Sequence, residues 1–139
     1  MSSFAASPVL FANAAGQLRE HPAGFLHATW ENAPRTSLAT RELFERMLLV
    51  LQHRRWSRIL IDQSQMPAFT PDEQHWVAHD WLPRAVAAGY RYGAVVVSPM
   101  ALVRLATSFI TTSVVGQPLT YRSFDSETEA ESWLVQQAG

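Results

Sequence analysis

The chain has 139 residues, 47% of them hydrophobic and 17% charged, and a formal net charge of −1. That is one packed domain over residues 1–139, with no overall electrostatic pull toward nucleic acid or an anionic membrane. All 11 basic residues are arginine and cysteine is absent, which excludes Schiff-base chemistry, a P-loop lysine, disulfides, thiol nucleophiles and thiolate metal sites.

The first segment, "MSSFAASPVLFANAAG", has the apolar middle of a secretory signal. It lacks a positive charge ahead of that middle, and Pro8 interrupts it, so a cytoplasmic location is expected. A strand is expected over residues 7–15 and a second over 23–31, where Phe25, His27 and Thr29 alternate with Leu26, Ala28 and Trp30. Gly16 and the His21-Pro22 pair between them predict an antiparallel pairing. From residue 37 the period lengthens. Phe44, Met47, Leu48 and Leu51 share one helical face, with Thr36 or Ser37 as cap. "WSRILID" (56–62) reads as a buried strand, "FTPDEQHW" starts a second helix, and "YRYGAVVVS" (90–98) is another buried strand. Ser98 is expected to cap a third helix with Pro99 in its first turn. "PLTYRSF" (118–124) is a last strand, and the box Ser126-x-x-Glu129 opens a last helix over 126–137. The order ββαβαβαβα predicts an α/β fold: a mixed, mainly parallel sheet of about five strands with four helices. "MALVRLATSFITTSVVG" is too short to span a bilayer and carries Arg104, so membrane insertion is not expected.

The densest stretch of chemistry is "IDQSQMPAFTPDEQHWVAHDW" (61–81). Thr70 can cap, Pro71 suits the first helical position, and Glu73 completes a capping box. Asp72 and Glu73 favour the positive end of the helix dipole, so architecture accounts for both. His75 and His79 have the i, i+4 spacing of paired zinc ligands. The glutamate of H-E-x-x-H is missing, Asp80 points about 100° away from His79, and no metal is expected. Trp76, Trp81 and Leu82 read as packing residues. Pro83 predicts a kink or break near Leu82, with Gly89 ending the segment.

Ligands of parallel sheets collect beyond the carboxyl ends of the strands. That rule gathers Asp62, Gln63 and Ser64 with Ser98, Pro99 and Met100, and adds Arg104 one turn into the third helix as a candidate anion contact. Ser64 and Asp62 form part of a triad only on paper. There is no G-x-S-x-G elbow, G-x-G-x-x-G motif or divided carboxylate pair, so neither enzymatic activity nor a cofactor is expected.

The element order, the strand end "ILIDQS" and the helix start "FTPDE" resemble the STAS superfamily, which includes the bacterial anti-sigma-factor antagonists. The closest likeness is to its SpoIIAA-like group, also described as STAS/SEC14-like. The likeness covers nearly the whole chain. It implies a regulatory module acting on a protein partner. Such antagonists carry a phosphorylatable serine in an Asp-Ser-Ser-Gly-like motif some eight residues beyond the aspartate that matches Asp62. Here those positions hold Thr70, Pro71, Asp72 and Glu73, so the usual phosphoswitch is not expected. Thr70 is the only hydroxyl near that helix start. The SEC14-like label implies an alternative, the carriage of a lipid or other apolar small molecule. The third helix, with Leu102, Val103, Leu105, Ala106, Phe109 and Ile110, is apolar over most of its circumference. Deep burial, a contact with a second copy, or a ligand groove through Leu102, Leu105 and Phe109 would each use that width.

Overall fold

The computed structural model describes residues 7–137. One mixed sheet holds six strands in sequential order: β1 (Val9–Ala12), β2 (Gly16–His21), β3 (Phe25–Trp30), β4 (Arg58–Asp62), β5 (Tyr92–Val96) and β6 (Thr120–Phe124). The α/β class is as expected, but the count of five strands is corrected to six and the order opens βββαβ. The residues expected to join two strands form β2 themselves. Gly16–His21 has one large apolar side chain, Leu18, so it carries little hydrophobic signal. Asn13 makes the turn before it, its Oδ1 accepting the amides of Ala15 (2.8 Å) and Gly16 (3.3 Å). Such side-chain turns are how asparagine starts hairpins. At Gly16 a Cβ would lie 2.3 Å from the carbonyl oxygen of Thr29, so the β2–β3 contact requires glycine there.

β1, β2 and β3 are antiparallel neighbours, and β3 through β6 are parallel. Each parallel step moves one strand over in the same direction. Right-handed crossovers then put every connecting helix on one face of the sheet. The connectors are α1 (Ser37–Arg54), the rod formed by α2 (Pro71–Trp76), a π-turn (Val77–Trp81) and α3 (Leu82–Ala87), and then α4 (Ala101–Thr112). α5 (Glu127–Gln136) follows the last strand and covers the opposite face.

The main core lies under the connecting helices. Leu18, Leu26, Ala28, Trp30 and Ile59 of the sheet meet Leu43, Phe44, Met47 and Leu51 of α1, Trp81 and Leu82 of the rod, and Val103, Ala106 and Ile110 of α4. The Trp81 indole is buried and donates to the carbonyl of Phe44 at 2.7 Å. Truncating such a residue costs about 3–5 kcal/mol. On the far face Phe25, Leu60, Ala94 and Val96 pack on Ala130 and Leu134 of α5. Two rungs anchor that helix: His21 to Glu131, and His27 Nε2 to Glu127 at 2.8 Å. The hydrogen bond from His27 holds the Glu127 carboxyl below its ordinary range.

The break expected at Pro83 takes a different form. The rod continues, and the Leu82 amide bonds to the Val77 carbonyl five residues back. Proline cannot donate to the His79 carbonyl, and its ring crowds that carbonyl. One inserted residue widens the turn and keeps the chain helical. Gly89 ends the rod at φ 110°, with Tyr90 N–H bonding to Ala85 and Gly89 N–H to Val86, the paired bonds of a Schellman motif.

Candidate functional site

Asp62 and Val96 are partners in adjacent parallel strands, so the loops after β4 and β5 share one edge. Within the loop after β4, Asp62 Oδ1 accepts both the amide of Ser64 (2.9 Å) and its hydroxyl (2.6 Å), an Asx turn closing the strand end. Between them, Gln63 is buried. Its amide donates to the Val96 carbonyl (3.0 Å), and its Oε1 accepts from the hydroxyl of Thr107 (2.8 Å) in α4.

Ser98 is buried after β5, and its hydroxyl oxygen accepts the Met100 amide at 3.0 Å. The cap assigned to Ser98 belongs to Met100, and α4 begins at Ala101. Ser98 lies two residues before the cap position, and its hydroxyl closes a turn over Pro99 instead. Arg104 points back along its own helix, donating to the carbonyls of Ser98 (3.2 Å) and Pro99 (3.3 Å). The polar residues at this edge therefore bond to one another. Met100 and Arg104 are solvent-exposed, and Ser64 is half-buried.

Thr70 caps α2 with both bonds of the capping box: Glu73 N–H to Thr70 Oγ1 (3.2 Å) and Thr70 N–H to Glu73 Oε1 (2.8 Å). The sequence does not reveal that Glu73 is buried and ion-paired with Arg35 at 3.0 Å, 38 residues away. Arg35 also donates to Thr40 Oγ1 (2.8 Å) and lies over the rings of Trp30 and Phe69. The corner is a cross-link between the loop before α1 and the start of α2.

Beside this corner α4 presents two apolar stripes. Val103, Ala106, Thr107 and Ile110 face the core. Leu102 (71% exposed), Leu105 (69%) and Phe109 (44%) face solvent. The exposed stripe borders an open groove of about 510 Å³ that runs to the start of α2. Its lining is Ala68, Phe69, Gln74, Leu102, Leu105, Ala106, Ser108, Phe109 and Thr112, with no formal charge among them. Beneath α4 the interior is filled: the space between Thr107, Ile110, Trp30 and Tyr121 measures about 30 Å³.

His75 and His79 are exposed at the groove's rim, with ring centroids 4.4 Å apart and 6.4 and 6.5 Å from that of Phe109. Residues four apart on a helix are neighbours on one face, which brings the two rings together. Among the described residues no group of three His, Cys, Asp or Glu side chains gathers to hold a metal ion. Among them, too, no helix is long and apolar enough to cross a membrane.

The residues expected at the strand ends and those expected in the groove thus occupy neighbouring regions, tied together through Gln63–Thr107. Arg35, Ala68, Phe69 and Gln74 were not anticipated. Of these, Phe69 carries a sequence signal, as the large apolar residue directly before the Thr70 cap. Comparison with protein-family models, curated proteins and solved structures finds no match to this chain.

Proposed function

We propose that the chain is a non-catalytic regulatory or protein-interaction module, of the kind implied by its resemblance to STAS anti-sigma-factor antagonists. Its working surface is the open face shared by α4 and the start of α2. The observation that carries this reading is the exposed row Leu102, Leu105 and Phe109 beside an uncharged groove, over a filled interior. Single exposed leucines are ordinary; a contiguous exposed apolar row beside an apolar groove is the mark of a contact surface. The serine and aspartate at the strand end serve a turn, and Glu73 at the helix start serves its cap and an ion pair. These structural roles account for Asp62, Ser64 and Glu73 without acid–base or nucleophilic work. Thr70 is engaged as a cap, which fits a module that works without the usual phosphoswitch.

One observation favours the alternative, carriage of an apolar small molecule: the groove's volume falls within the roughly 300–1,000 Å³ of ligand pockets. Such pockets cover most of their ligand, whereas this groove is open along its length. Native mass spectrometry of the purified chain separates the two. The module is expected at its own mass or integer multiples of it. A reproducible small-molecule adduct that disappears in Leu105→Glu would replace the module with a carrier.

A further inference from the structure

Resting on that reading, we infer that the partner seated on the α4 face is a second copy of this chain, joined by antiparallel α4–α4 packing about a two-fold axis near Leu105. The spacing supports this. Leu102, Leu105, Phe109 and Thr112 recur at intervals of three, four and three residues, the seam one helix presents to another. An isologous interface must carry projection and recess on one patch. Here the ridge of Leu102, Leu105 and Phe109 borders its own groove. In the antiparallel arrangement Leu105 of each copy meets Leu105 of the other across the axis, flanked by the small, exposed side chains of Ala101 and Ser108. Phe109 of each copy then seats against Leu102 of the other and the groove wall at Ala68.

Charge points the same way. The 12 residues of α4 contain one charged side chain, Arg104, and no acid. In this pairing Arg104 falls opposite the neutral, exposed Ser108, so no like charges meet. An acidic peptide or an anionic lipid headgroup would find no cation in the groove lining. A neutral apolar surface is matched by another of the same kind, and this chain supplies one.

The chain has no cysteine, so a single introduced thiol reports cleanly on the axis. Under mild oxidation Leu105→Cys is expected to form a disulfide-linked dimer rapidly. Leu49→Cys, exposed on α1 away from this face, should not. Sedimentation of the wild type should show twice the chain mass at concentrations on the order of 100 μM. Leu105→Glu puts two carboxylates at the axis and should raise the dimer dissociation constant at least about a hundredfold. Leu102→Glu, also exposed, is the second variant, and circular dichroism checks that both remain folded. A wild-type chain that stays monomeric would overturn the inference, as would a dimer that survives both glutamate variants or equal cross-linking at positions 49 and 105. These failures leave the interaction module standing. Only the small-molecule adduct in native mass spectrometry removes the module and its dimer together.

Discussion

Replacing Glu73 with alanine tests whether the Thr-Pro-Asp-Glu corner exists for architecture. The Glu73 side chain is 4% exposed and that of Arg35 6%, with 3.0 Å between them. Breaking a buried pair by removing one partner costs about 3–5 kcal/mol, because a charge stays buried without its counter-ion. Arg35 would keep Thr40 Oγ1 at 2.8 Å, the longer contacts to the carbonyls of Pro67 (3.4 Å) and Ala68 (3.5 Å), and the faces of Trp30 and Phe69. Those contacts place the pair's share near the lower limit, about 3 kcal/mol. Loss of the acceptor for the Thr70 amide adds about 1 kcal/mol. A total of about 4 kcal/mol is a large part of the roughly 5–15 kcal/mol that holds a domain together. Urea unfolding followed by tryptophan fluorescence measures it, since Trp30 lies against Arg35. The double variant Arg35→Met, Glu73→Met leaves no charge behind and should recover at least half of the loss. A loss below about 1 kcal/mol in Glu73→Ala would refute this reasoning, as would a double variant no more stable than the single.

Gly93→Ala should be among the most damaging small substitutions in the sheet. Its Cβ would lie 2.3 Å from a ring carbon of Tyr121 and 2.4 Å from the Tyr90 hydroxyl. The expected cost is about 3 kcal/mol, read as a melting temperature lowered by on the order of 10 °C; adding Tyr121→Ala should recover part of it. Glu127→Gln should make stability less dependent on acid. The Glu127 carboxyl titrates below its ordinary value of 4.5 because of the His27 bond, so its contribution is full above that value and fades as pH falls through the lowered folded value. The stability gap between wild type and Glu127→Gln, measured by urea titration from pH 7 to 3, should therefore close at the acid end.

Much of the secondary structure was legible because it is dictated locally. Phe44, Met47, Leu48 and Leu51 have a helical period, and all four are buried on α1. The capping box at Thr70 and the cap at Ser126 form as expected, since their partners lie three residues away. β3, β4 and β5 stand where the apolar and β-branched runs put them. β2 was hidden because its stability comes from its neighbours. Gly16, Gln17, Arg19, Glu20 and His21 are strand residues here because both flanking strands supply ladder bonds. The roles of Asp62, Ser64, Ser98 and Arg104 divide in the same way. Their positions at the strand ends followed from the order of elements, while the turn each one closes depends on torsions that no periodicity encodes.

The sequence by itself determined the alternation of strands and helices, the parallel core and the local caps, because these rest on contacts within a few residues. The tertiary structure alone decided that Glu73 meets Arg35 and that Gln63 holds Thr107. It also decided which stripe of α4 turns outward. Both stripes are apolar, so period alone cannot choose between them. The right-handed crossover from β5 to β6 fixes the helix against the sheet, buries Val103, Ala106 and Ile110, and leaves Leu102, Leu105 and Phe109 in water.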